Sequence, residues 1–154
     1  MNNYGDFVII IDTREQNPLM FSYPTERGKL ETGDYSVQGY EDQVAIERKQ
    51  INDLIGCLKN GQRDRFEREL ARGRDELEYF ALVVESDMSS ISNHRYASAM
   101  CTTSVIESLS AFSIRYRLPV FFCENRRYAA RLTESLLQKY VREVEKQIEI
   151  TENE

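Results

Sequence analysis

The chain has 154 residues, 41% hydrophobic and 30% charged, with a formal net charge of -6. That size is enough for one ordinary core, and the composition excludes both a disordered polymer and a membrane-embedded protein. No apolar run approaches the roughly 20 residues a spanning helix needs, and the opening Met1–Asp6 has neither the basic nor the apolar region of a secretory leader, so a cytosolic protein, not secreted, is expected.

Phe7 to Ile11 is a continuous, largely β-branched run ending in Asp12, the pattern of a strand covered on both faces. A burst of charge (Asp12-Thr13-Arg14-Glu15) and a polar loop punctuated by Pro18, Pro24 and Gly28 follow it. Thr32 to Val37 and Val44 to Lys49 are two short β-prone segments around a glycine-containing turn, which predicts a hairpin. Side chains alternate along a strand, so Glu47 and Lys49 share one face and Arg48 takes the other.

Asp53 to Lys59 and Arg63 to Arg74 are expected helices, the second with Phe66 and Leu70 inward, and Phe80 to Glu85 is a second buried strand. Strand, helices and strand make a crossover unit, which predicts parallel pairing. Ser86 to Thr103 shows no clear period. Ser104 to Arg117 is expected to be helical, Val120 to Cys123 a strand, and Tyr128 to about Ile148 a long final helix. A single α/β domain over residues 1–150, with a flexible acidic tail at 151–154, is the expected organisation.

Cys57, Cys101 and Cys123 are odd in number and form no CxxC pair, and His94 is the single histidine. A zinc site lacks ligands, and disulfides are not expected. The acidic balance argues mildly against a protein that coats nucleic acid, yet it suits a carboxylate-bound metal centre.

Phosphodiester hydrolysis at neutral pH needs a better nucleophile than water and neutralisation of charge growing at phosphorus, and a carboxylate-held Mg²⁺ supplies both. One or two carboxylates with a backbone carbonyl suffice for an ion that keeps several waters. Asp34 on one hairpin strand and Glu47-x-Lys49 on the next offer such a set. By spacing alone, a solvated hairpin with a surface ion pair explains these residues equally well.

The wider wording is more specific. Gly33-Asp34 followed by Glu47-Arg48-Lys49-Gln50-Ile51-Asn52-Asp53 resembles the GD…ERKxxxD signature of XPF-type structure-specific endonucleases, which are restriction-endonuclease-like nucleases. Asp12-Thr13-Arg14-Glu15 resembles that family's D-x-R-E segment, and Leu30 to Tyr35, Asp64 to Leu70, Ala81 to Glu85 and Ser113 to Val120 continue in family order.

The resemblance implies a central mixed β-sheet flanked by α-helices and a DNA endonuclease dependent on Mg²⁺ or Mn²⁺, acting on branched or flap DNA in repair or recombination. It implies Asp34, Glu47 and the backbone carbonyl of Arg48 as metal ligands, Lys49 as the residue that positions or activates water, and Asp12 as a further ligand or its support. Arg14, Glu15 and Arg48 would shape the site or contact phosphate. Asp53 would orient a basic side chain, unless it simply caps the helix beginning near it.

Arg65, Arg68 and Arg72 share a helix face that is either a DNA track or a solvated surface paired with the interleaved acids, and Arg126 and Arg127 belong to a second basic patch. Tyr35, Tyr40 and Tyr96 stack on bases or pack internally. The family implies DNA as partner and a homodimer through the C-terminal helices. No small-molecule cofactor beyond the metal is expected. A catalytically inactive DNA-binding or dimerisation module of the same fold is the alternative.

Overall fold

The computed structural model describes residues 6–154; the opening residues from which the absence of a leader was read lie, but for Asp6, outside the described residues. Among the described residues the chain forms β1 (Ile9–Asp12), β2 (Thr25–Gly28), β3 (Tyr35–Val37), β4 (Val44–Gln50), α1 (Ile51–Cys57), α2 (Arg63–Glu76), β5 (Tyr79–Glu85), α3 (Met88–Ser92), α4 (Thr102–Arg115), β6 (Val120–Cys123) and α5 (Arg126–Glu152). The strands lie in one mixed sheet in the order β2-β1-β3-β4-β5-β6. β1 and β2 are parallel, β3 is antiparallel to both β1 and β4, and β4, β5 and β6 run parallel to one another.

Alternation along each strand divides the interior into two cores. Ile9, Ile11, Tyr35, Val37, Val44, Ile46, Ala81 and Val83 face α5, where Ala129, Ala130 and Leu137 meet them. Ala45, Leu82 and Val84 face the other way, against Leu54 of α1, Phe66 and Leu70 of α2, and Val105, Leu109 and Phe112 of α4. The result is a three-layer α/β/α sandwich held by apolar burial on both sides of the sheet. Gly73 lets α2 lie against β5, since a Cβ there would come within 2.1 Å of the Phe80 ring.

The predicted hairpin is the β3–β4 pair, and the crossover from β4 to β5 is parallel, as the element order requires. β2 departs from expectation. Its Thr-Glu-Arg-Gly sequence is mostly exposed and has no apolar alternation, so only the open edge of β1 makes it a strand. The segment 86–103 contains the short α3, capped by the Asp87 side chain accepting from the Ser90 N–H. The last helix starts two residues earlier than expected and runs to Glu152, through the first two residues of the expected tail.

Candidate metal and nuclease centre

The parallel strands β1, β4, β5 and β6 end at one edge of the sheet, and the chain enters antiparallel β3 at that same edge. Such edges border the ligand crevice of α/β proteins. The edge carries Asp12, Asp34, Glu47, Lys49 and Glu85 within a few residues of one another across the sheet.

Asp34 sits one residue before β3, and its backbone is bonded on both sides. Its N–H donates to the Ile46 carbonyl at 2.9 Å, and its carbonyl accepts from the Asp12 N–H at 2.9 Å. Gly33 makes the approach possible: it adopts φ +88°, and a Cβ would lie 2.8 Å from that of Ala45. Tyr35 faces the α5 core, so Asp34, its neighbour, faces α1 and α2. Glu47 and Lys49 share that face with Ala45. The carboxyls of residues 34 and 47 therefore stand on the same side of adjacent strands.

Their electrostatics follow from burial and proximity. Glu47 is 3% exposed, and its carboxyl is held well above the ordinary range, first by burial and then by the charge of Asp34. Asp34 is pushed up to about 6, chiefly by burial, although the Arg48 N–H donates to its Oδ2 at 2.8 Å and Lys49 also favours its charged form. Burial alone would discharge Lys49, but Glu47, 2.8 Å from its Nζ, outweighs this and raises the ammonium above its usual value. The Lys49 Nζ also lies 5.7 Å from the centre of the Phe66 ring of α2.

Asp12 is buried on β1, next to Asp34. Its Oδ1 accepts from the Leu30 N–H at 2.9 Å and its Oδ2 from Arg14 Nε at 2.8 Å. Burial would raise its carboxyl, and these donors overcome that and hold it low. The Arg14 side chain, 67% exposed, stands at the mouth of the centre.

Arg48 turns to the other face, as alternation requires. Its guanidinium pairs with Glu85 and lies 3.5 Å from Glu15, with all three side chains nearly buried. Glu15 also accepts from the Tyr35 hydroxyl at 3.3 Å. Asp53 is exposed in the first turn of α1; Gln50 occupies the capping position, and among the described residues no hydrogen bond links Asp53 to Lys49. Asp53 thus does not take the capping position expected of it.

Glu69 of α2 was overlooked. Its carboxylate helps raise Glu47, and its charge also acts on Asp34, Lys49 and Arg14. In the sequence it reads as one more acid among helical arginines; its position three residues after Phe66, on the inward side of the helix, was the available signal. Glu85 was also unmarked, because a carboxylate ending a buried strand has no pattern until its arginine is placed across from it.

Arg65, Arg68 and Arg72 are exposed on α2, and among the described residues no carboxylate pairs with them. The helical acids pair elsewhere: Glu67 with Arg63 and Arg115, and Asp75 with Arg74. Arg126 bonds to Asn17 and Pro18, while Arg127 is exposed. Tyr35 is fully buried, Tyr40 packs edge-on to Tyr140, and Tyr96 stacks on His94, so all three pack within the protein.

The two carboxylates fit a hydrated divalent ion better than they fit an empty pocket. Buried Glu47 and half-buried Asp34 repel one another with the Lys49 ammonium beside them, and a cation relieves that repulsion. Among the described residues no three His, Cys, Asp or Glu side chains converge on one point, so the fit is to an ion that keeps much of its water.

The ERCC4 domain family matches residues 5–136. The chain resembles XPF from Aeropyrum pernix, with a TM-score of 0.69 at 20% identity over 86% of this chain and 61% of that one. It also resembles XPF from Aeropyrum pernix in complex with DNA, with a TM-score of 0.67 at 19% identity over 88% of this chain and 66% of that one. The chain thus spans somewhat under two thirds of the length of these solved relatives. No curated protein matches it in sequence. With the family match covering most of its length and the sheet order and helix layers described above, the chain belongs to the ERCC4 domain family and has the XPF nuclease fold.

Proposed function

We propose that this domain is a divalent-metal-dependent DNA endonuclease whose centre is Asp34, Glu47 and Lys49. The observation that carries the reading is the shared face: half-buried Asp34, entering β3, and buried Glu47, on β4, lie on one side of the sheet, with the Lys49 ammonium 2.8 Å from Glu47. Asp34 and Glu47 would hold Mg²⁺ or Mn²⁺. A strand residue directs its N–H and C=O to the same neighbour; because the Arg48 N–H points to Asp34, its carbonyl is aimed the same way and completes the set. When bound, the ion acidifies water and neutralises the phosphoryl oxygens.

Lys49 works as a donor and not as a base, because Glu47 keeps it charged; it orients the attacking water or holds a phosphate oxygen. Asp12 supports the centre by fixing Arg14 and Leu30, and its remaining lone pairs can face the ion. Arg14, exposed at the mouth, meets the phosphate, and Glu15 holds Arg48 in place. DNA would lie along the exposed arginines of α2, Arg65, Arg68 and Arg72, with Arg127 at the far side of the centre.

Flap or branched DNA as substrate, and a role in repair or recombination, rest on the family alone. A homodimer is supported by α5: Leu132, Leu136, Tyr140 and Val141 pack inward, but Val144 and the half-exposed Ile148 line a groove of about 500 Å³ beside Glu78. A single monomeric species in sedimentation equilibrium would remove the homodimer. No described helix is long and apolar enough to cross a membrane.

The test is cleavage of a labelled flap and a plasmid with Mg²⁺ or Mn²⁺. Lys49→Ala and Asp34→Asn are each expected to cut at least about a hundredfold more slowly while remaining folded. Unchanged cutting by both variants would place the activity elsewhere. The lack of a third converging acid favours one other reading, an inactive DNA-binding module; it predicts DNA binding by wild type with no metal-dependent cutting.

A further inference from the structure

Arg126 opens α5 at the end where the helix dipole is positive, an unfavourable place for a cation, and no acidic residue shares that first turn. Its Nη2 donates to the Asn17 carbonyl at 3.0 Å, to the Asn17 side-chain oxygen at 3.2 Å and to the Pro18 carbonyl. The same Asn17 carbonyl accepts from Arg48 Nη1 at 3.0 Å. One peptide oxygen is thus shared by guanidiniums from β4 and from α5. At the other end of the segment, Arg27 of β2 donates to the carbonyls of Asp12, at 3.2 Å, and Glu15, at 2.6 Å.

Residues 13–18 contain neither helix nor strand, yet three arginines from three elements hold their carbonyls. The segment joins Asp12 and Arg14, on the Asp34 side of the sheet, to Leu19, whose N–H donates to the buried Tyr35 hydroxyl at 2.9 Å. Arg48 is itself fixed, its side chain 7% exposed between Glu85 and Glu15. It therefore acts as a rigid strut from the strand that carries Glu47 and Lys49.

We propose that Arg126 is a positioning residue of this centre: with Arg48 it clamps the Asn17–Pro18 peptide and ties the seating of α5 to the placement of Asp12 and Arg14. The catalytic part of the inference rests on the nuclease reading above, whereas the clamp itself does not. With three protein acceptors on its Nη2, Arg126 has that nitrogen committed to the loop. Moving that nitrogen to a phosphate would strip the Pro18 carbonyl of its charge-assisted donor and leave the Asn17 carbonyl to Arg48 alone. Arg126 is thereby set apart from its exposed neighbour Arg127, for which no such contact is seen among the described residues.

Three measurements on the full chain test this: amide exchange of residues 13–17 and 19, DNA affinity with Ca²⁺ in place of Mg²⁺, and the single-turnover cutting rate at saturating protein. Arg126→Ala is expected to speed exchange in the segment at least about tenfold, as loss of a local tether does. It should slow saturated cutting about tenfold, the usual scale for a group supporting metal-binding residues. DNA Kd should stay within about twofold, since no phosphate contact is lost. Arg127→Ala should do the reverse, weakening binding with the segment's exchange unchanged. Arg126→Lys keeps the charge without the planar fork, and intermediate exchange is expected even if the alanine variant proves unstable.

The proposal is overturned if Arg126→Ala weakens DNA binding as Arg127→Ala does while exchange and saturated rate stay at wild-type values. If wild type cuts no DNA, the nuclease reading fails on its own. Exchange then decides the clamp, with release in Arg126→Ala supporting it and equal protection in both proteins refuting it.

Discussion

The two sides of β4 are built from consecutive residues and behave in opposite ways. On the α2 side, Glu47 and Lys49 stand with Asp34 and Glu69 in a group holding more carboxylates than cations, where burial raises Glu47 and Asp34 and the negative charge around them raises both further. On the α5 side, Arg48 pairs with Glu85, lies 3.5 Å from Glu15 and donates to the Asn17 carbonyl, so the one cation is held by direct contacts. One side is left wanting a cation, and the other is locked. The pleat alone separates them, turning neighbouring residues to opposite faces. An electrostatically frustrated centre can therefore rest on an ion-paired support.

The largest expected effect comes from breaking the ion-paired side. Glu85→Ala leaves a buried guanidinium without its main partner, and urea denaturation should show a loss of about 3 kcal/mol. Adding Arg48→Met should recover part of that loss, because two buried charges are then removed together. A Glu85→Ala protein as stable as wild type would show that the locked side contributes nothing.

The frustrated side should respond with the opposite sign. Asp34 has its carboxyl raised to about 6 in the folded protein against an ordinary 3.8. The folded state thus binds the proton more tightly between those values, and this group's contribution to stability falls as pH rises through that window. Asp34→Asn should stabilise the metal-free protein at pH 7.5 by about 1–2 kcal/mol, with the gain vanishing below about pH 4. Thermal melts in a chelator across pH 4–8 check this, and destabilisation at pH 7.5 would show that the carboxylate is already compensated.

The smallest effect lies outside both sides, along α2. Replacing Arg65, Arg68 and Arg72 with alanine should leave the melting temperature nearly unchanged, since these side chains are exposed and pair with no described carboxylate. The slope of log K for DNA against log salt should become shallower by about 2–3, at roughly one unit per lost phosphate contact. An unaltered slope would mark the row as solvated surface.

Much of this was legible in the chain itself. The β-branched run before Asp12, the two segments around the 38–42 turn and the β4–β5 crossover follow from periodicity and connection length, which are local properties. The separation of Glu47 and Lys49 from Arg48 follows from the two-residue period, and the GD…ERKxxxD wording identified the family. What the sequence could not decide was where charges meet across elements. β2 exists because β1 had an open edge; Glu69 matters because α2 lies over β4; Glu85 matters because β5 brings it to Arg48, 37 residues away in the chain, and Arg126 because α5 brings it to Asn17, 109 residues away. A carboxylate's partner is set by distance through space. Packing of the helices on the two faces of the sheet fixes that distance, and no local pattern carries it.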